Sequence, residues 1–399
     1  MSEPPDSVEG MRFLHTADWH LGRTLHGADL SPAFEAWTDH VIDLVATQDI
    51  DALLISGDVY DRGIPPLEMV DLLAETLERA LDQTSVIVTS GNHDSAKRLG
   101  FGSRLMRDGL YFYTDSLASH VPVPIRDRSG EVGALVYPIP YLDPDSERGR
   151  LADDPAEPLA RSHAAVLGKV LDSIRADLAA RGLGAHTDKP YTMIMSHAFV
   201  SGAEETESER DISVGGAAQV SASLFNLPGV DYVALGHIHG PQQVPSAGPV
   251  MRYSGSPIPF SFSEQNHTKT SVIVDTQAAD PIELVPAPVY RKLATIEGTL
   301  DELLSSQFDE YRGHFLRINV TDPERPANLF AKLMQKFPYV LEHQHLTEST
   351  AVSVAELEAI RTEPLAVLRE FFEMSGGRDL NEAELDVIRD AWEKVGQGA

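Results

Sequence analysis

"SVIVTSGNHD" (85–94) passes from an apolar, β-branched run across one glycine into Asn92, His93 and Asp94. A short apolar run closed by a turn former predicts a buried strand. In α/β proteins, chemistry is mounted at strand ends. Asn, His and Asp are also ordinary turn residues, so this stretch alone leaves open both a polar turn and part of an active site. The rest of the chain has to decide.

The same unit recurs. "MRFLHTAD" (11–18) and "DALLISGD" (51–58) are strand-like runs that each end in an Asp. Between them "FEAWTDHVIDLVATQ" (34–48) places Phe34, Trp37, Val41, Leu44 and Val45 at helical spacing, and "PLEMVDLLAETLERAL" (66–81) follows the second run. "YTMIMSHAF" (191–199), "DYVALGHIHG" (231–240) and "MRYSGSPI" (251–258) read as later strands. The alternation predicts an α/β domain with a β-rich second half. Residues 143–160 read as an exposed connection into a helix over 161–182, and the proline-rich 277–290 as a domain edge. A small α+β segment is expected over 291–346, with "FLRINVTD" (315–322) as strand and "PANLFAKLMQKFP" (326–338) as helix. Beyond 353, Leu365, Leu368, Phe371 and Phe372 share one helical face. A second helix starts at Asn381, with Glu384 completing a capping box and Leu385, Ile388, Trp392 and Val395 forming a stripe. Two such helices can pack back on the core or bind a partner's helix.

Composition bounds the function. The 42% apolar fraction of 399 residues fits a globular chain with one large domain and smaller ones. No apolar stretch reaches membrane-spanning length, and "MSEPPDSVEG" (1–10) lacks the basic and apolar regions of a signal peptide. The expectation is a soluble, cytoplasmic protein with a disordered tail over 1–10. The absence of cysteine removes disulfides and thiolate sites, so any metal must be held by His, Asp, Glu, Asn or water, a set suited to manganese, zinc or iron. A net charge of −29 argues against a free-standing DNA-binding protein, whose affinity rests on neutralised phosphates. A local basic patch, bound metals or a basic partner subunit remain open.

Five strand ends carry similar cargo: Asp18 and His20, then Asp58, then Asn92 with His93 and Asp94, then His197, then His237 and His239. Each has a bland reading as a core or turn residue; the coincidence of five does not, because strand ends of an open α/β sheet converge on one crevice. Asp18, His20, Asp58, Asn92, His197, His237 and His239 supply enough O and N donors for two divalent ions sharing a carboxylate. Such pairs, about 3.5–4 Å apart, clamp both oxygens of an in-line phosphoryl displacement and activate water. Phosphodiester or phosphomonoester hydrolysis is the expected chemistry.

The combination "DWH…GD…GNHD…SH…GHIH" resembles the calcineurin-like metallophosphoesterases. "FLHTADWHLGRTLHG", "GDVYDRGIPP", "SGNHDSAKRLG", "ESERDISVGG", "DYVALGHIHGPQ" and "YSGSPIPFSFSE" are similar to the bacterial SbcD nuclease subunits. The resemblance implies a four-layer αββα sandwich over 11–285, a small α+β cap domain over 286–347, and a C-terminal helical pair over 348–399 that docks on the coiled coil of an SbcC-type ATPase. It implies one metal on Asp18, His20, Asp58 and His239, a second on Asp58, Asn92, His197 and His237, manganese preferred, and His93 unligated beside the scissile phosphate. It further implies ATP-dependent 3′-to-5′ exonuclease action on double-stranded DNA ends, endonuclease action on single strands and hairpins, and a homodimer within a heterotetramer. Helices over 66–82 and 95–108 correspond to its dimer contact.

A His in that role needs an acid to orient it. Asp61 and Asp94 are the candidates. "GDVYDRG" (57–63) shares the spacing of the protein phosphatases, in which the second Asp pairs with the His of "GNH"; Asp61 is therefore expected to pair with His93, and Asp94 to buttress the loop. The competing reading of Asp61 is a turn carboxylate bridged to Arg62. His15 is expected to be structural, Arg23 and His26 to touch phosphate or lie in a solvated loop, and 205–216 receives no chemistry. Two other functions compete: a Ser/Thr phosphatase or small-molecule phosphodiesterase, disfavoured by "GNHD" in place of "GNHE" and by the extra segments, and a non-catalytic architectural subunit, disfavoured by the complete ligand set.

Overall fold

A computed structural model describes residues 10–106, 108–184, 189–213 and 218–346. The apolar runs become strands: β1 (Arg12–Thr16), β2 (Ala52–Ser56), β3 (Ser85–Thr89), β4 (Leu110–Tyr113), β5 (Val123–Arg126), β6 (Val132–Ile139), β7 (Tyr191–His197), β8 (Tyr232–Gly236), β9 (Gln242–Val244), β10 (Val250–Tyr253), β11 (Thr270–Asp275) and β12 (Ile282–Pro286). They form two six-stranded sheets, ordered β12-β11-β1-β2-β3-β4 and β5-β6-β7-β8-β10-β9. β1 to β4 pair in parallel, as do β6, β7, β8 and β10, while β11, β12, β5 and β9 pair antiparallel at the flanks. Central strands buried on both faces need no polar alternation, which is why the sequence shows them as continuous apolar runs.

Strand pleat sorts their side chains between two interiors. Leu53 and Ile55 meet α1 (Ser31–Thr47) and α2 (Leu67–Leu81), whose Phe34, Trp37, Val41, Leu73 and Leu77 are buried there. Ala52 and Leu54 face the opposing sheet and pack with Phe13, Ile87, Met193, Met195 and Tyr232. The outer face of the second sheet is covered by α5 (His163–Ala180) through Val166, Val170 and Ile174. The layers are thus helix, sheet, sheet, helix. His15 ties the two sheets from inside, its ring between Tyr232 Oη at 2.9 Å and the Leu235 carbonyl at 3.2 Å. Burial pushes its pKa down to about 3.

Two local expectations differ. The helix expected over 95–108 is only α3 (Ala96–Leu99); Gly100 caps it, Gly102 turns left-handed at φ 75°, and a 3₁₀ turn follows at Ser103–Leu105. Glycine at these positions breaks the longer helix that the family resemblance implies. Conversely, the connection after 143 contains α4 (Pro144–Arg150), started by Asp143, whose side chain accepts from Asp145 N, with proline in the first turn.

A third, all-parallel sheet orders β13 (Leu293–Gly298), β14 (Phe315–Val320) and β15 (Val340–His345), with α6 (Leu300–Leu304) and α7 (Leu329–Lys336) as crossovers. It has its own core of Ile296, Leu303, Leu316, Ile318, Leu333 and Phe337. It contacts the larger unit through Thr295 N, which donates to Gln265 Oε1 at 2.7 Å, and through Glu342, 3.9 Å from His26 Nε2. All but Gly10 of the tail expected over 1–10, and the two helices expected beyond 353, lie outside the described residues. Among the described residues no helix is long and apolar enough to cross a membrane.

The His15 tie predicts an acid limb of stability. The folded ring stays neutral down to about pH 3, whereas the unfolded ring titrates near 6.5. Its contribution is therefore full above pH 6.5 and is lost as pH falls toward 3, by up to about 1.4 kcal/mol per pH unit. Urea midpoints of His15→Asn and wild type, measured from pH 7.5 to 4.5, should converge as pH falls.

Candidate metal centre

The site is built by sharp turns at strand ends. Asp18, His20, Asp58 and His237 all have positive φ (56°, 46°, 49° and 107°). Non-glycine residues there cost of order 1–3 kcal/mol each unless the surroundings hold them. Here the surroundings do: Asp18 N donates to the Gly57 carbonyl at 3.1 Å and His20 N to the Asp58 carbonyl at 2.9 Å. His237 N donates to both Asp18 oxygens, at 2.9 and 3.1 Å, and His93 N to Asp58 Oδ1 at 2.8 Å. Two glycines permit the approach. A Cβ on Gly91 would lie 2.1 Å from Asp58 Oδ1, and one on Gly236 would lie 1.9 Å from the Ser56 carbonyl.

The donor atoms converge. His20 Nε2 faces His239 Nε2 at 3.0 Å. Asn92 Oδ1 lies 2.9 Å from His197 Nε2 and 3.1 Å from His237 Nδ1. Asp58 Oδ2 stands between the two groups, 3.6 Å from His20 Nε2 and 3.4 Å from His197 Nε2. Asp18 joins both sides: it clusters with His20 and His239, and also with Asp58 and His197. The Asp and His members are essentially inaccessible to water.

Burial therefore dominates the electrostatics. It holds His20 and His239 well below the usual histidine range, and each ring's histidine or arginine neighbours add to the depression. Burial, helped by His197, pushes His237 down to about 3. For His197 burial also opposes charge, but the Asp58 and Asp18 carboxylates outweigh it and raise the ring to about 9. Burial raises Asp18, whereas in Asp58 the neighbouring His197 and His20 overcome it and lower the carboxyl. Three buried polar atoms at this locus, His20 Nδ1, Asn92 Nδ2 and His237 Nε2, have no hydrogen-bond partner in the protein. Two carboxylates, an amide oxygen and imidazole nitrogens aimed at one small volume suit borderline-to-hard divalent cations.

His93 sits at the rim, its side chain 15% exposed. Its Nδ1 donates to the Asp61 backbone carbonyl at 2.8 Å. Because a carbonyl can only accept, Nδ1 carries the proton and Nε2 is the atom left for chemistry. The expected pairing with Asp61 thus takes another form: the main chain holds the ring. The Asp61 carboxylate is 4.0 Å from His93 Nδ1, 3.8 Å from His20 Nδ1 and 3.8 Å from Arg23 Nε, and its guanidinium neighbour is Arg23 rather than Arg62. Asp94 accepts from Val59 N, Tyr60 N and Gly91 N at 3.1, 3.0 and 2.9 Å, lacing two motif loops together. Burial, reinforced by Asp58, raises it to about 6.

The stretch given no chemistry proves to be part of the site wall. Ser208 Oγ lies 2.5 Å from His239 Nδ1, and Glu209 accepts from His239 N at 2.7 Å. Behind them, buried Glu264 pairs with buried Lys269. Arg23 is neither on a solvated loop nor free: it donates to the Ser208 carbonyl at 2.8 Å and stacks on Phe260 at 4.8 Å. His26 lies against Phe262 and Glu342.

Residues 11–241 match the family model described as calcineurin-like phosphoesterase. The chain belongs to the calcineurin-like phosphoesterases. This phosphoesterase is 36% identical to the SbcD component of the Bacillus subtilis nuclease SbcCD, over 68% of its own length and 67% of that protein. It is 32% identical to the corresponding SbcCD nuclease component of Rhodobacter capsulatus (88% and 85% covered) and 30% identical to that of Escherichia coli K12 (90% and 87% covered). A divalent-metal hydrolase site is therefore what the converging donors form.

Asp94→Ala strands three buried amides. Denaturant titration should show a loss of about 1–3 kcal/mol, the cost of leaving buried donors unpaired. Asp61→Asn, at the half-open rim, should leave the denaturation midpoint unchanged.

Proposed function

We propose that this phosphoesterase is the nuclease subunit of an SbcCD-type DNA repair complex and hydrolyses DNA phosphodiester bonds. The observation that carries the reading is the meeting of donors from five strand ends at one buried locus with His93 at its rim. Asp18, His20, Asp58 and His239 would hold one divalent ion, and Asp58, Asn92, His197 and His237 the other, manganese in both cases. When bound, such ions supply Lewis-acid polarisation of the phosphoryl group and activation of water.

The chain's own residues do the rest. Asp58 and Asp18 keep the ligand loops in their left-handed turns by accepting backbone amides. The Asp61 carbonyl fixes the His93 ring so that Nε2 can deliver a proton to the leaving oxygen, and the Asp61 carboxylate lies near enough to balance the imidazolium charge. Asp94 supports the loop that carries both.

In this reading the substrates are double-stranded ends, attacked 3′ to 5′ with ATP, and single strands and hairpins, cut internally. An SbcC-type coiled-coil ATPase docks on 348–399 and supplies much of the DNA affinity that a net charge of −29 denies the isolated chain. The third sheet acts as the cap. Two copies meet through α2 and the segment after it, which supports the homodimer: Ile64, Leu67 and Val70 are exposed around a groove of about 640 Å³ that Met106 also lines. The complex works in the cytoplasm, on the nucleoid.

Co-purification with a candidate ATPase, followed by cleavage of linear duplex and hairpin DNA with manganese, with and without ATP, tests the proposal. A phosphopeptide turned over in place of DNA would make this a phosphatase. Within the complex, His93→Asn should lower turnover about 10²- to 10⁴-fold while manganese stoichiometry stays at the wild-type value. Asp61→Asn should lose less, because the carbonyl that orients the ring remains.

A further inference from the structure

Glu264 and Lys269 are an ion pair in the interior, 1% and 7% exposed. Apolar residues of similar volume would often serve stability as well or better. What the pair adds is a direction for protons. Lys269 Nζ donates to Glu264 Oε2, to the His239 carbonyl at 2.9 Å and to Ser256 Oγ at 2.9 Å. Glu264 Oε1, an acceptor, takes the Ser208 hydroxyl proton at 2.6 Å and the Phe260 amide at 3.2 Å. Ser208 has one proton to give, so toward His239 Nδ1 at 2.5 Å it can only accept. Thr206 Oγ1, 3.0 Å from Ser208 Oγ, directs its own proton to Glu209 at 2.7 Å and does not compete.

We infer that Ser208 and Glu264 are positioning residues that fix the tautomer of His239, keeping its proton on Nδ1 and presenting the Nε2 lone pair to the metal locus. The inference rests on the reading of that locus as a metal centre. His239 Nε2 faces His20 Nε2 at 3.0 Å, so a proton there would block both rings as ligands. The relay also joins the ligand to the 204–213 loop. Arg23 clamps the Ser208 carbonyl, Glu209 accepts from the His239 amide, and Glu207 N donates to Ser263 Oγ at 3.3 Å. Displacing this loop would withdraw Ser208 from His239, so the loop's position sets the strength of one ligand.

The test uses Ser208→Ala, which leaves the Glu264–Lys269 pair in place, and Ser208→Thr, which keeps a hydroxyl. Long-range ¹⁵N–¹H spectra of the metal-free full chain, labelled at histidine, should show His239 protonated on Nδ1 in wild type and Ser208→Thr, and shifted toward Nε2 in Ser208→Ala. Manganese calorimetry should show one site weakened about 10- to 100-fold in Ser208→Ala, with the other unchanged and Ser208→Thr like wild type. An unchanged tautomer with both sites intact in Ser208→Ala overturns the inference. So does a Ser208→Thr variant as weak as Ser208→Ala although its thermal midpoint matches wild type. Because the tautomer is read without metal or DNA, a wild-type chain that binds manganese but cuts no DNA would defeat the nuclease reading alone.

Discussion

Asp58 is the constraint on which the site depends. Its carboxylate lies between His20, which follows β1 in the first sheet, and His197, the last residue of β7 in the second, at 3.6 and 3.4 Å. One buried oxygen thus joins donors from two sheets that share no hydrogen-bonded ladder. The other oxygen accepts the His93 amide and so places the loop that carries His93 in the same frame. This explains the local strain: Asp58 reaches the seam only from a left-handed turn, and the neighbouring loop can pass only where Gly91 has no Cβ.

A group of buried rings and carboxylates is poorly stable by itself. Burial raises Asp18, but it depresses three of the histidines, so the fold assembles imidazole rings rich in lone pairs and poor in protons. Only His197 is drawn the other way, by the two carboxylates that flank it. The apolar interface between the sheets, with His15 tied to Tyr232 inside it, stabilises the sandwich independently and lets the strand ends carry this cost.

The converging donors were legible in the sequence because strand ends, glycines and residue types coincide at five places. The sandwich was legible through the resemblance those places carry. What stayed hidden follows from physical causes. The group that holds His93 is a backbone carbonyl, which no residue type reveals, so the sequence points to the Asp61 carboxylate instead. The Ser208–His239 and Ser208–Glu264 contacts span 31 and 56 residues, and nothing local marks Glu264 or Lys269 as buried. The helix that the resemblance implies after Asp94 stops at Leu99, where Gly100 and Gly102 break it.

The charge balance constrains how such a site meets a polyanion. With 61 acidic against 32 basic residues, long-range fields repel DNA, so attraction must come from groups at the centre or from another subunit. Of the two arginines beside the centre, Arg23 is bound to the Ser208 carbonyl and stacked on Phe260, whereas Arg210 is exposed, 3.5 Å from the Asn92 carbonyl. Arg23 positions the loop behind His239. Cations held by Asp58 and its neighbours would add to the charge of Arg210, and a phosphodiester would be drawn to the reacting position itself. Under the nuclease reading, affinity and chemistry are thereby separated: the buried centre supplies the second, and the partner ATPase most of the first.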